Sequence, residues 1–228
     1  QLDGYFLVLD ASASTFYISN LLDGTTWDPL DFAQRSIAPD PWVSMKVLNR
    51  YVYLLGEQTS EAWYNTGASP FPFAPHPSGF MQYGIAAPYS RAIIGNQLCW
   101  VGGSKDGRAN ILSVTGFTPE VISTYPLQFA ISNYQTIEDA QGDSYSDLGH
   151  NFYIVTFPSV GITWAFDTET RLWAKRGTWI DEDSEYSVWR PRWHAFAFGQ
   201  HRMLDAETGA VYNMSSEFLA DVDDRAIR

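Results

Sequence analysis

Residues 152–166, FYIVTFPSVGITWAF, decide the fold class of this chain. Two runs rich in β-branched and aromatic residues, at 152–157 and 163–166, flank a turn segment that contains Pro158 and Gly161. Side chains of this kind pack well on the pleated surface of a strand, and Pro and Gly mark the turn between strands. The stretch therefore predicts an antiparallel β-hairpin.

Comparable hairpins recur along the chain. The paired runs lie at residues 5–9 and 16–18, 51–55 and 61–64, and 98–101 and 111–114. Repeat units thus begin near residues 5, 51, 98 and 152, and a further unit begins near residue 201. Their spacing of about 45–55 residues is close to the length of a four-stranded propeller blade. We therefore expect an all-β fold, a β-propeller-like array of antiparallel blades, with residues 1–228 as one propeller domain.

The last two units share a local pattern that supports the repeat. Residues 166–173, FDTETRLW, resemble residues 204–212, LDAETGAVY. Each stretch has an apolar strand end, an Asp placed to cap the turn, and an outgoing strand that ends in an aromatic residue. A β-sandwich is the main alternative. It predicts strands roughly every 8–12 residues, without a longer repeat of whole units.

The composition suits packed strands and leaves little room for helices. Hydrophobic residues make up 45% of the 228 residues and aromatic residues 16%, whereas charged residues reach only 18%. A propeller blade packs both faces on its neighbours, which uses many large apolar side chains. We expect one or two helical turns at most, around residues 127–135, because Pro126 and the β-branched residues interrupt the helical pattern.

The charge balance argues against nucleic-acid binding. The net charge is −12, from 26 acidic and 14 basic side chains, so the chain as a whole repels phosphate backbones. A local exception is the run at residues 189–194, WRPRWH, where cations lie among aromatic residues. Such a run stacks on bases or on a partner chain, or it packs Arg on Trp within the molecule.

Three features bear on the setting of the protein. The single cysteine, Cys99, lies in an apolar run and is expected to be a buried thiol. No apolar stretch reaches the roughly 18 residues that span a bilayer, so we expect no membrane span. The chain starts without Met and stops in a polar run, and we therefore expect a fragment of a longer polypeptide.

Aromatic and acidic residues permit a second functional interpretation, a carbohydrate-binding or glycosidase β-propeller. Residues 27–31 and 63–67 place Trp beside Asp or Asn, as sugar-binding sites do, although packing between blades explains them equally simply. A glycosidase needs two carboxyl groups close together. The candidates are Asp28, Asp31, Glu57, Glu61, Asp139, Asp143 and Asp147. Most have turn-like settings, where Asp closes turns, so we assign no catalytic residue and expect no enzyme.

Metal and nucleotide sites also lack a convincing pattern. The acidic runs at residues 139–147 and 181–185 lack the spacing of a calcium loop. Residues 102–105, GGSK, lack the later glycine and the helix of a phosphate loop. The histidines are scattered and form no zinc motif. They are His76, His150, His194 and His201. We therefore expect no metal site and no cofactor.

A set of ordered stretches carries a family resemblance. They are residues 3–7 (DGYFL), 16–33 (FYISNLLDGTTWDPLDFA), 55–67 (LGEQTSEAWYNTG), 71–73 (FPF), 149–153 (GHNFY) and 156–158 (TFP). Together they resemble the packaged-DNA stabilisation proteins of short-tailed bacteriophages, a family of tail hub or nozzle components. The likeness covers most of residues 3–175, and the last unit rests on the repeat pattern alone.

The resemblance implies a virion protein of the tail that is made in the host cytoplasm. It implies a homo-hexameric ring that extends the DNA channel, helps to retain packaged DNA, and docks the portal, its adaptor and other tail proteins. DNA would pass through such a ring without sequence-specific binding. A protein-interaction propeller of cellular origin is a third interpretation, which composition does not separate from the first.

Overall fold

The computed structural model describes residues 1–34, 37–103, 109–180 and 185–215. Within these ranges the strands form five antiparallel sheets, accompanied by one short helix, α1 (Tyr125–Ser132). The strands are β1 (Leu7–Asp10), β2 (Thr15–Ile18), β3 (Phe32–Gln34), β4 (Trp42–Leu48), β5 (Tyr51–Gly56), β6 (Ser60–Asn65), β7 (Phe73–Met81), β8 (Ala92–Ile94), β9 (Gln97–Gly103), β10 (Ala109–Thr115), β11 (Thr118–Val121), β12 (Gln141–Asp147), β13 (His150–Phe157), β14 (Ile162–Asp167), β15 (Leu172–Ile180), β16 (Glu185–Val188), β17 (Pro191–Ala197), β18 (Gln200–Asp205) and β19 (Val211–Met214). The predicted all-β, propeller-like class is confirmed.

The hairpins read from the sequence form the centres of the sheets. Strand β1 pairs with β2, β5 with β6, β9 with β10, and β13 with β14, each antiparallel. In the stretch quoted first, Val155 lies opposite Trp164. The unit starts predicted near residues 5, 51, 98, 152 and 201 fall in or just before strands of five different sheets. That residues 1–228 make one domain stays a prediction.

The outer strands are the part of the fold that the sequence pattern missed. Strand β7 contains Pro75 and Pro77, and β12 has the polar sequence QGDSYSD. Both are largely half-buried or exposed, so they need no continuous apolar run. These strands extend the predicted hairpins to the orders β4–β5–β6–β7 and β12–β13–β14–β15–β16.

The chain divides into two compact units, each with its own apolar core. The first comprises Gln1–Pro88 and Asn96–Asn133, and the second comprises Tyr89–Gly95 and Tyr134–Arg228. In the first unit the ring of Phe16 meets Trp63 at 5.4 Å and Trp42 at 6.0 Å between centroids, above Val52 and Leu54. An edge-on pair such as Phe16–Trp63 adds about 0.5–1.5 kcal/mol beyond burial of its area.

The core of the second unit joins its two sheets through a smaller cluster. Tyr145 of β12 and Ile154 of β13 pack with Trp189 and with Met203 of β18. Phe152 and Met214 cover the edge of the cluster. This contact brings the face of β12 that carries Tyr145 against the β17–β18 hairpin, and it thereby positions the site described below.

Helix α1 confirms the expected short helical segment and shifts its bounds. The helix starts at Tyr125, which places Pro126 in the first turn. Proline is tolerated there because the N–H groups of the first turn have no partner within the helix. Leu127 and Ile131, one turn apart, are its buried residues. The predicted segment at residues 127–135 therefore began two residues late and ended beyond Ser132.

Candidate functional site

The aromatic residues proposed as sugar platforms belong to the core of the first unit or brace loops. Trp63 is only 5% exposed, and its Nε1 donates to Glu61 at 3.0 Å. Tyr64 packs edge-on against His76, with 5.5 Å between ring centroids. Trp27 donates from Nε1 to the carbonyl of Gly24 at 2.9 Å. Trp63 therefore offers no open face to a sugar, and packing explains the aromatic content of residues 63–67.

The carboxylates proposed as glycosidase candidates lie in different settings. Asp28 accepts the N–H of Leu30 at 2.9 Å, and Asp139 accepts the N–H and Oγ of Ser159 at 2.7 and 2.6 Å. Turn closure is thus confirmed for Asp28, whereas Asp139 braces the distant turn between β13 and β14. Turn closure is wrong for Glu61, which lies inside strand β6 and is fully buried. Glu57 is exposed in the turn before β6, and Asp31 is half-buried after Leu30.

Asp143 and Asp147 also depart from the turn interpretation, because both lie within strand β12. Alternate residues of a strand share a face, so Asp143, Tyr145 and Asp147 line the same side of β12. The segment 139–147, treated from the sequence as an acidic loop, therefore carries a strand with two carboxylates beside a buried tyrosine ring.

Two of the histidines that are far from any motif in the sequence meet on the facing hairpin. In β17 and β18, Phe196 lies opposite His201 and His194 lies opposite Met203, so the two imidazoles are diagonal neighbours on one face. His194 Nε2 and His201 Nδ1 are 2.8 Å apart, and the rings are stacked with 5.0 Å between centroids. We call His194 and His201 the imidazole pair. The expectation that the histidines are scattered is wrong for this pair.

The imidazole pair faces the acidic side of β12. The carboxylate of Asp143 accepts the backbone N–H of His194, and Asp147 Oδ1 lies 4.0 Å from His201 Nε2. The ring of Tyr145 contacts both imidazoles, with centroid distances of 5.8 Å to His194 and 6.2 Å to His201. Strand β12 therefore supplies two carboxylates and an aromatic ring to the pair.

Charged groups of β13, β14 and β15 complete the surroundings. Arg176 donates from Nη2 to the Tyr145 hydroxyl at 3.1 Å, and its guanidinium lies over the ring of Phe152. His150 Nδ1 lies 2.8 Å from Asp167 Oδ2. Burial raises the pKa of Tyr145, Arg176 opposes this effect, and Asp147 and Asp167 add to it. Tyr145 is therefore a neutral hydrogen-bonding group at neutral pH.

The surroundings of His194 favour its uncharged form. Burial lowers the pKa of His194, the neighbouring His201 lowers it further, and Asp143 opposes them. The imidazoles of His194 and His201 can gain or lose protons next to the carboxylates of Asp143 and Asp147. Within the described residues no group of three His, Cys, Asp or Glu side chains has the geometry to hold a metal ion.

The sequence contains a signal that could have revealed the imidazole pair. Gly199 has a positive φ of 72° and Phe198 one of 56°, which is the conformation of a tight hairpin turn. Counting outward from this turn places His201 beside Phe196 and His194 two residues further along the same face. The contact with Asp143 and Asp147 depends on the packing of two sheets, and no local pattern predicts it.

Most residues of the basic, aromatic run at 189–194 make contacts within the second unit. Trp189 and Arg192 are buried, and Arg192 donates to the carbonyls of Trp189 and Pro191. Arg190 forms an ion pair with Asp205 at 2.7 Å. The intramolecular alternative is therefore supported for these residues, whereas Trp193 stays 59% exposed.

Some sequence candidates need only brief placement. Cys99 is buried in β9, and burial raises the pKa of its thiol to about 12, as expected of an inert core thiol. His76 stacks on Phe117 with 4.3 Å between ring centroids. Residues 104–108 and 181–184 lie outside the described residues, so most of the acidic run at 181–185 and the second half of the segment at 102–105 do too. Among the described residues no helix is long and apolar enough to cross a bilayer.

Comparison with known families decides the affiliation. Residues 1–218 match the model of the phage-stabilisation family described as bacteriophage P22 Gp10, β-propeller. The chain belongs to this phage-stabilisation family. The match confirms the resemblance read from the sequence, and it extends that resemblance from residue 175 through the last sheet. Membership makes the chain a phage structural protein of the propeller type.

Comparisons with individual proteins add little. A search of curated proteins found no match. Among solved structures, this chain is similar to a puromycin-hydrolyzing peptidase of Mycobacterium tuberculosis, with 10% identity and a TM-score of 0.37. The similarity covers 92% of this chain, which spans 38% of the peptidase chain. At this level the likeness carries no inference about activity.

Proposed function

We propose that this member of the phage-stabilisation family is a passive structural component of a phage tail hub or nozzle. It extends the DNA channel beyond the portal, helps to retain the packaged genome, and docks other tail proteins as a ring of six copies. The single observation that carries the proposal is the family match over residues 1–218. The place of action is the tail of the virion.

The use of side chains in the structure supports a mechanical role. Phe16, Trp42 and Trp63, which are large aromatic residues of the first unit, pack between its sheets. Carboxylates considered as catalytic candidates have structural contacts, since Asp28 closes its own turn and Asp139 braces the turn at Ser159. Sheets with tightly packed cores suit a scaffold that bears pressure without changing shape.

The charge supports a conduit through which DNA slides. The chain carries a net charge of −12. Acidic side chains on the wall of a channel repel phosphate groups, so that DNA does not adhere while it leaves the capsid. On this proposal, the electrostatic potential of the assembled lumen is negative, and a basic lumen would contradict it.

The carbohydrate-directed alternative receives no specific support. Its platform residue Trp63 is buried, and Glu61, one of its carboxylate candidates, is in the core of strand β6. We therefore propose no sugar substrate and no enzymatic activity.

The proposal is tested by assembly with the portal and adaptor of the phage that encodes the chain. The purified protein is mixed with portal–adaptor rings and analysed by size-exclusion chromatography with light scattering. We expect a stable complex that gains the mass of six copies, together with no binding on a glycan array. Sugar binding without any adaptor complex would favour the carbohydrate-directed alternative and contradict the scaffold.

A further inference from the structure

We propose that the imidazole pair, His194 and His201, is a proton-sensitive clamp that holds the β17–β18 hairpin against strand β12 at neutral pH and releases it in acid. The inference concerns a conformational property of the second unit, and it does not depend on the role of the protein in a phage tail.

The clamp follows from the hydrogen bond between the two rings. His194 Nε2 and His201 Nδ1 are 2.8 Å apart, so one nitrogen donates its proton and the other accepts it with a lone pair. An imidazolium has two N–H donors and no lone pair. When both rings are protonated, two N–H groups and two positive charges face each other, and the bond is lost.

The contacts of the pair make its opening matter for the fold. The backbone N–H of His194 bonds to Asp143 of β12, and Tyr145 of β12 contacts both imidazoles. Met203, opposite His194 in the hairpin, is buried in the same cluster as Tyr145. The bond between the rings joins β17 to β18, so its loss displaces the imidazoles that Tyr145 contacts and thereby loosens the packing of the sheet β17–β18–β19 on β12.

Charged groups from several strands face the pair. From β12, the carboxylates of Asp143 and Asp147 place negative charge beside it. Arg176 of β15, held at the Tyr145 hydroxyl, adds a positive charge to the same face. On the side of β13 and β14, His150 is paired with Asp167, which neutralises its charge when it is protonated.

The direction of the pH effect follows from His194. Its pKa is lowered by burial and by His201, so the folded state resists a proton that the unfolded chain accepts at the ordinary value for histidine. A histidine with a lowered pKa does not change the stability of the hairpin at a pH above the ordinary pKa of histidine. As the pH falls below that pKa, the histidine destabilises the closed hairpin.

Hydrogen exchange of the hairpin, corrected for the intrinsic pH dependence of exchange, tests the clamp. Between pH 7.5 and pH 5, we expect the protection factors of peptides from β17 and β18 to fall about tenfold or more in the wild-type protein. His201→Gln, whose uncharged amide can still bond to His194, should lose less protection than the wild type, because the second positive charge is absent while the burial of His194 remains. His76→Gln, placed among aromatic rings of the first unit, is the matched control and should behave like the wild type.

A second readout covers the case in which the variant does not fold. In the wild-type protein, NMR titration of the histidine Cε1 protons should show the second protonation of the pair coinciding with the loss of hairpin protection. Unchanged protection in the wild type between the two pH values overturns the clamp. So does an equal loss in His201→Gln, or independent titration of both rings while the hairpin stays protected.

Discussion

Gly142 is the residue at which strand β12 meets the segment before β8. Its N–H donates to the carbonyl of Tyr89 at 2.9 Å. A Cβ placed on Gly142 would lie 1.8 Å from the carbonyl oxygen of Ser90, far inside van der Waals contact. The polar sequence of β12 gives no hint of this contact, because a strand glycine usually reads as a weak point of a sheet.

Gly142→Ala should destabilise the protein because its methyl group cannot be accommodated without moving backbone. We expect a loss of at least about 2 kcal/mol in the free energy of unfolding, measured by urea denaturation. Gly103→Ala is the matched control, since a Cβ there meets no atom within 4 Å. Equal stability of the two variants would show that the close approach of Gly142 to Ser90 is absent in solution.

At the scale of elements, the turns after β14 and β18 are built in the same way. Asp167 Oδ1 accepts the N–H of Glu169 at 3.0 Å, and Asp205 Oδ1 accepts that of Glu207 at 2.8 Å. Arg171 and Gly209 occupy the same left-handed position, with φ of 58° and 71°. The repeated pattern in residues 166–173 and 204–212 therefore predicted a shared turn correctly.

Asp205→Ala should weaken the last sheet more than a comparable change elsewhere. Asp205 accepts the N–H groups of Glu207 and Thr208 and pairs with Arg190, so its removal leaves these donors without their partner. We expect a loss of about 1–3 kcal/mol at pH 7, measured by urea denaturation. Asp10→Ala, at an exposed turn closed by a similar contact to Ser12, is the control and should lose less.

The loss should depend on pH in a defined direction. Burial alone raises the pKa of Asp205, but the hydrogen bonds from Thr208 and Glu207 and the charge of Arg190 outweigh burial and lower it. A lowered pKa stabilises the fold above the ordinary value for Asp, and this stabilisation is lost as the pH falls through the folded pKa. The gap between wild type and Asp205→Ala should therefore shrink below about pH 4. A gap that widens in acid would contradict this assignment.

The same scale shows which elements a sequence can predict. Central strands such as β5 and β13 are buried on both faces, so their consecutive apolar residues stand out in the sequence. Outer strands such as β7 and β12 are partly solvated, and their composition resembles that of loops. The imidazole pair is partly predictable. Its hairpin is local in the sequence, whereas its carboxylate partners come from another sheet.

Across the whole molecule, each of the two compact units has its own apolar core with aromatic members, whereas other aromatic side chains, such as Phe196 and Phe198, are exposed. The propeller class was accessible from repeat spacing, since each predicted unit start lies in or just before a strand of a different sheet. Ring size and position in a tail are properties of an assembly, which strand periodicity does not encode.

Cryo-electron microscopy of the intact tail of the encoding phage tests the proposed role. We expect six copies of the propeller in a ring below the portal and its adaptor, with DNA or an open channel along the axis. A tail that lacks this chain, or that carries it away from the channel axis, would show that the proposed role is wrong.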